Sequence, residues 1–203
     1  NFSAKQGLSQ SEVGDMVQDH TGRLFITTAG SGVDVFDGVS FTQLGVDDGL
    51  VSPYIGQVFK DENGSIWFVS AKGLNLYGQD SIQSFFMDGD KLNIESVFGV
   101  EEIGERHFLI ATDNGLVEFD NGSYEIYHSK AFERLRFFDV LTDQKGRTLL
   151  VTDEGLFEFT GSEVRRSSLG DGFPGEDLLA IQETSDGKIL IGTRRGFYVV
   201  NEG

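Results

Sequence analysis

The chain has 203 residues, with 27 glycines, 18 phenylalanines, no cysteine and a formal net charge of -17. That length supports one sizeable core, and the lack of cysteine excludes structural disulfides and thiolate metal sites while fitting either a reducing cytosol or a bacterial periplasm. The acidic balance excludes a sequence-independent grip on nucleic acid or anionic lipid, and no segment approaches the roughly 18 apolar residues of a membrane span.

The N-terminus lacks the charged and apolar regions of a signal peptide, so the sequence reads as a soluble piece, mature or trimmed. Phe2 sits where later copies carry an outer-strand aromatic such as Phe41, just ahead of the Gly7-Leu8 step. Val13 to Val17 then predicts an inner strand, Leu24 to Thr28 a second, Val33 to Phe36 a third and Phe41 to Leu44 a looser fourth. The pattern returns after Gly49-Leu50 as Ile55 to Phe59, Ile66 to Ser70, Leu74 to Tyr77 and Ile82 to Phe86. A third copy reads Val97 to Glu101, Phe108 to Thr112, Leu116 to Phe119 and Tyr124 to Tyr127, with Glu101-Glu-Ile-Gly104-Glu-Arg106 in place of the usual Asp-x-x-Gly turn. The fourth replaces the Gly-Leu step by Lys130-Ala-Phe-Glu-Arg134, then runs Phe137 to Leu141, Thr148 to Thr152, Leu156 to Phe159 and Val164 to Leu169. After Gly172-Phe173 the fifth gives Leu178 to Gln182, Ile189 to Thr193 and Phe197 to Val200.

The glycine opening each third strand falls at Gly32, Gly73, Gly115, Gly155 and Gly196, and by subtraction the intervals are 41, 42, 40 and 41 residues. Four strands in about 40 residues is the period of a propeller blade. The expected fold is therefore all-β: one β-propeller domain over residues 1–203, with five four-stranded blades at about 7–48, 49–90, 91–130, 131–171 and 172–203 plus 1–6. The N-terminal strand is expected to complete the last blade; the alternative is a five-blade piece of a larger propeller.

One face of such a repeat carries the Asp-x-x-Gly turns, and Asp19, Asp61 and Asp143 are read there as backbone-shaping residues. A calcium loop at Asp61 fails because Lys72 stands where the bidentate Glu is needed. The other face differs from copy to copy, at hairpin tips Ala29 to Ser31, Ala71-Lys72, Asp113-Asn114, Asp153-Glu154 and Arg194-Arg195 and at crossovers that include Asp47-Asp48, Pro53-Tyr54, Asp88 to Lys91 and Asp171. Variable loops on a repeated frame mark a recognition surface, although acidic loops also serve simply to keep a protein soluble. Tyr54, Lys72, Arg194 and Arg195 are the expected ligand contacts. Trp67 aligns with Phe25, Leu109, Leu149 and Leu190 and is read as core. Asp15 and Asp139 share an inner-strand column with Gln57, Gly99 and Ala180; they either cap local backbone donors or hold a cation or water near an axis.

No nucleophile elbow, zinc motif, P-loop or dinucleotide fingerprint is present, and His20, His107 and His128 fall on separate elements. No catalytic residue, metal site or cofactor is expected.

Gly49-Leu-Val-Ser52, Val58-Phe-Lys-Asp61, Gly64-Ser-Ile-Trp-Phe68 and Gly73-Leu74, with Gly7-Leu-Ser9, Gln18-Asp19 and Phe36-Asp-Gly38, resemble the two-component regulator propeller repeat across essentially the whole chain. The resemblance implies an extracytoplasmic, periplasmic or extracellular sensor region of a bacterial signal-transduction protein, working with a membrane-linked kinase or regulator. Its ligands would be oligosaccharides, other small polar molecules or a protein partner. The sensors of that family generally use seven-bladed rings, so five copies depart from its pattern. Two alternatives stand beside this one. A metal-dependent propeller similar to the streptogramin lyases would need a His with acidic residues at the mouth, and His128 is a poor match. A protein-binding scaffold could instead self-associate.

Overall fold

The computed structural model describes residues 2–78, 81–87, 94–127, 135–161, 163–170 and 178–200. Nineteen strands are found among them, joined in chain order into antiparallel meanders. The chain divides into two compact units, Asn1–Val97 and Phe98–Gly203.

In the first unit, β1 (Val13–Gln18), β2 (Leu24–Thr28), β3 (Gly32–Phe36) and β4 (Phe41–Leu44) form one sheet. A second sheet consists of β5 (Gln57–Lys60), β6 (Ile66–Ser70), β7 (Gly73–Tyr77) and β8 (Ile82–Phe86). The two pack through Phe25, Val33 and Val35 on one side and Ile55, Val58, Ile66 and Phe68 on the other, with Leu50 of the crossover between them. Each such side chain contributes about 1.5–3 kcal/mol by leaving water. The Gly-Leu column explains itself here: Gly7 and Gly49 close short 3-10 turns, Ala4–Gln6 and Val46–Asp48, and Leu8 and Leu50 follow them into the core. Asn75, fully buried, fastens the second of these steps by accepting from the Val51 N–H at 3.0 Å and donating to the Gly49 carbonyl at 3.0 Å. In the first copy Asp34 does the same for Ser9, taking its N–H at 3.0 Å and its hydroxyl at 2.6 Å.

The second unit holds three sheets. The third is β9 (Val97–Gly104), β10 (His107–Thr112), β11 (Gly115–Asp120) and β12 (Ser123–Tyr127), the fourth β13 (Phe137–Thr142), β14 (Thr148–Thr152), β15 (Gly155–Phe159) and β16 (Val164–Arg166). The fifth is three-stranded, β17 (Leu178–Glu183), β18 (Ile189–Thr193) and β19 (Gly196–Val200). Leu109, Ala111 and Leu116 pack on Phe137, Val140 and Leu150, and Leu149, Val151 and Leu156 on Leu178, Ile181, Ile189 and Ile191. The third copy's irregular turn has its own shape: β9 runs on to Gly104, and a two-residue turn with Arg106 at φ 52° returns the chain.

Two expectations need correction. Residues 4–6 are a 3-10 turn instead of a strand, because Ser3 and Gln6 form a capping box in which the Ser3 N–H donates to Gln6 Oε1 at 3.0 Å. Phe2 packs on Phe36 and Phe41 of the first sheet, with centroids at 5.0 and 5.7 Å. The outer strand of the fourth copy stops at Arg166 and not Leu169, since the Ser167 N–H bonds the Leu156 carbonyl and Ser168–Gly170 turns as 3-10. Asn1, Asp88 to Lys91, His128, Lys130 to Arg134, Asp171 to Phe173 and Asn201 to Gly203 lie outside the described residues. No helix among the described residues is long and apolar enough to cross a membrane.

Candidate functional site

The Asp-x-x-Gly turns are built by their carboxylates. Asp19 accepts the N–H groups of Thr21 and Arg23 at 2.8 and 3.0 Å, and Asp143 those of Lys145 and Arg147 at 3.0 and 2.8 Å. Their outer oxygens take the guanidiniums of Arg23 and Arg147. Burial works to raise the Asp19 pKa, but hydrogen bonds from Thr21 and Arg23 outweigh it and hold the carboxyl at about 2. In Asp61 one oxygen accepts from Ser65 N–H at 2.7 Å and the other from the Trp67 indole at 2.8 Å, so both are committed within the turn.

The inner-strand aspartates act as clamps between neighbouring sheets. Asp15 accepts from Met16 N–H at 2.8 Å and, across the sheet gap, from Val58 N–H at 3.0 Å. Asp139 accepts from Val140 N–H and from Ile181 N–H, each at 2.9 Å. Both stand at a break in the ladder register, where a bulge frees the N–H groups. Of the two readings open in the sequence, backbone capping is the one realised, and for Asp139 burial pushes the carboxyl pKa up despite those donors.

Beside Asp139 lies an open hollow of about 670 Å³, lined by Glu101, Asp139, Gln182, Leu190, Gly192 and Phe197 among others. Glu101 accepts the Thr142 N–H at 2.7 Å. Burial, joined by the charge of Asp139, raises its pKa from near 4.5 to about 7. Protonation is therefore easier in the folded chain than in the unfolded one. The stability this contributes is complete below about pH 4.5 and is lost as pH rises through 7. Glu101→Gln keeps an acceptor for Thr142 without the charge, so it is expected to raise stability by about 1–2 kcal/mol at pH 8, after discounting for solvent screening, and to leave it unchanged at pH 4. Melting curves at the two pH values check this; an equal gain at both would show that charge burial is not the cause.

The variable face is framed by a repeated hydroxyl. Ser70, Thr112, Thr152 and Thr193 each donate to the carbonyl of the glycine three residues on, at 3.0, 2.7, 2.8 and 3.1 Å, and accept a tip N–H. The first hairpin carries one extra tip residue, and its Thr28 hydroxyl instead meets Ser9 at 3.0 Å. Asp34 beneath it is buried, and its Oδ1 has no hydrogen-bond partner among the described residues. Tyr54 lies against this enlarged tip: a Cβ on Gly30 would stand 3.1 Å from its ring, yet the residue is 73% exposed. Lys72 is exposed on the next tip, anchored through its carbonyl to the Met87 N–H. Arg194 and Arg195 are neighbours on the exposed β18–β19 tip. Tyr54 and Lys72 thus belong to separate tips of the first unit and the arginines share one tip of the second.

Sequence reading missed one cluster. Glu118 is hydrogen-bonded by both His107 and Tyr127, on three adjacent strands of the third sheet, and burial followed by Glu118 raises the Tyr127 pKa. The signal was a column that holds Val35, Leu76 and Val199 in three copies and a glutamate, Glu118 or Glu158, in the other two, with His107 and Tyr127 near it only in the third copy. Among the described residues no three His, Cys, Asp or Glu side chains are placed to hold a metal.

No protein-family model and no curated protein matches this sequence. Solved structures do. The extracellular domain of the putative hybrid two component system BT3049 from B. thetaiotaomicron superposes with a TM-score of 0.80 at 21% identity, over 99% of this chain and 30% of that one. The WD40 beta propeller domain of Doa1 gives 0.59 at 13% identity, over 89% and 60%. The fold is a β-propeller's. Virginiamycin B lyase from Staphylococcus aureus shares it too, with a TM-score of 0.68 at 11% identity, over 93% of this chain and 69% of that one. The chain thus spans less than a third of the BT3049 domain, a propeller from the kind of system that the Gly-Leu-Ser and Asp-x-x-Gly columns resemble.

Proposed function

We propose that the chain is a non-catalytic sensory module of a bacterial signal-transduction protein, part of a single propeller domain exposed to the periplasm or the exterior. It binds a small polar ligand such as an oligosaccharide, or a protein partner, on its variable loop face and passes that event to a membrane-linked kinase or regulator. The observation that carries this reading is the fold shared with the extracellular domain of a hybrid two-component system. The loop face supports it: tips of different chemistry stand on a frame held by identical hydrogen bonds.

Tyr54 offers an open ring face for stacking on a sugar, and Lys72, Arg194 and Arg195 offer donors to hydroxyl or carboxyl oxygens. The lyase-like alternative draws on the fold shared with virginiamycin B lyase. It asks for an available histidine among acidic groups, whereas His107 is engaged by Glu118.

Thermal melts against neutral oligosaccharides and divalent cations test the proposal. A ligand at about 100 times its Kd contributes about 2.7 kcal/mol, an easily read shift. Tyr54→Ala and the pair Arg194→Ala with Arg195→Ala are expected to remove the shift without lowering the unliganded Tm. A sugar shift that survives all three substitutions would move the site elsewhere, and no shift with any compound would count against ligand sensing.

A further inference from the structure

The first two copies fasten their Gly-Leu steps in the same way but with different side chains. Gly7 and Gly49 leave their 3-10 turns with nearly identical backbones, φ 107° and ψ 0° in one, φ 110° and ψ 8° in the other. A Cβ on either would lie 3.4 Å from the first residue of the outer strand, Phe41 in the first copy and Ile82 in the second. Two residues on, the N–H of Ser9 or Val51 is donated at 3.0 Å to one side-chain oxygen of Asp34 or Asn75, the third residue of β3 or β7.

These matches put Asp34 Oδ1 where Asn75 has its amide nitrogen. That nitrogen donates to the Gly49 carbonyl at 3.0 Å and to the Ser84 hydroxyl at 2.9 Å. A carboxylate oxygen has nothing to donate, so at Asp34 one acceptor is turned towards another, the Gly7 carbonyl. Gln43 stands opposite Asp34 as Ser84 stands opposite Asn75, but its side chain donates to the Ser31 carbonyl of the enlarged tip at 2.8 Å. Oδ1 is left without a partner among the described residues.

Charge makes this more than a missing hydrogen bond. Among the described residues four carboxylates are buried, Asp19, Asp34, Asp61 and Asp143. Asp19 and Asp143 hold arginines, and Asp61 has a donor on each oxygen. Asp34, 1% exposed, has only the N–H and hydroxyl of Ser9, both on Oδ2. A buried carboxylate is costly unless a positive charge stands beside it. We propose that a sodium ion supplies that charge, held by Asp34 Oδ1 and the Gly7 carbonyl beneath the first hairpin tip. Carboxylate and carbonyl oxygens take hard cations, and a single negative charge is neutralised by one monovalent ion. The field of a chain carrying -17 gathers such ions around it. The second copy needs none, because Asn75 brings its own donor. Every residue of the site lies in the first unit, and the ion binds whether or not the loop face holds a ligand.

Thermal melts in sodium chloride and in choline chloride at equal ionic strength test this, since choline screens surface charge equally but is too bulky to reach a buried carboxylate. The unaltered chain is expected to melt higher in sodium, by about 3–5 °C for each tenfold rise above the Kd. Asp34→Asn copies the arrangement that the chain already uses at Asn75. It is therefore expected to fold, to melt at the same temperature in the two salts, and to be no less stable than the unaltered chain in choline. Broadening of the sodium NMR signal by the unaltered chain, lost in Asp34→Asn, reads the ion directly. Equal melting of the unaltered chain in both salts would overturn the proposal. So would a sodium response that survives Asp34→Asn, which would place the ion elsewhere. Stabilisation by acid with no response to sodium would overturn it as well, a proton on Asp34 then supplying the donor.

Discussion

Truncating Trp67 to alanine is expected to lower the melting temperature by about 10 °C, the largest effect of any side-chain substitution in the first unit. Trp67 is fully buried in the second strand of its sheet, its ring stacked on Phe85 at 5.8 Å and its indole N–H bound to Asp61 at 2.8 Å. Removing a buried indole costs about 3–5 kcal/mol in lost transfer energy and cavity, and in a chain of this size each kcal/mol moves Tm by about 2–4 °C. A second cost follows, because one oxygen of the buried Asp61 loses its donor. Trp67→Phe separates the two: it retains most of the volume and lowers stability by about 1.5–3 kcal/mol, the worth of a hydrogen bond to a carboxylate. Circular dichroism melts are the suitable probe, since Trp67 is the sole tryptophan. A loss under 1 kcal/mol for the alanine variant would mean that this position is no core site.

What could be read in advance follows from how local each interaction is. The closing hydroxyls Ser70, Thr112, Thr152 and Thr193 and the turn carboxylates Asp19 and Asp143 bond within four residues of themselves, so their columns exposed both the period and their roles. Trp67 was legible as core because its column is apolar in every copy. The inner-strand aspartates were half legible. Their column was visible, but the donors they clamp, Val58 N–H for Asp15 and Ile181 N–H for Asp139, are 43 and 42 residues away and depend on bulges that leave no mark in the sequence. The His107–Glu118–Tyr127 cluster needs three strands in register before it exists. The N-terminal turn could have been found, since Ser3-x-x-Gln6 is a capping-box pattern, but Phe2 matched the outer-strand aromatics and drew the segment into the wrong column. Ligand contacts such as Tyr54 and Arg195 were chosen because they break a pattern, and nothing local states what a broken pattern binds.

Glycine at the start of the third strand is a common sign with two distinct physical causes, and substitution should separate them. At Gly73, with φ 135°, an added Cβ would lie 2.1 Å from the Phe85 carbonyl oxygen and 3.0 Å from the Met87 nitrogen. Both contacts are backbone atoms of the outer strand or of its exit, where Met87 N–H bonds the Lys72 carbonyl at 3.0 Å. Gly73→Ala must therefore push β8 away as well as adopt a left-handed backbone, and is expected to cost about 3 kcal/mol or more. Gly196, with φ 147°, meets nothing within 4 Å among the described residues, so Gly196→Ala is expected to carry only the conformational cost of about 1 kcal/mol. Urea denaturation of the two variants gives the comparison directly. Equal losses would mean that close packing of the outer strand contributes nothing and that the glycine column is kept for backbone geometry alone; a larger loss at Gly73 identifies the outer strand as part of what each repeat requires.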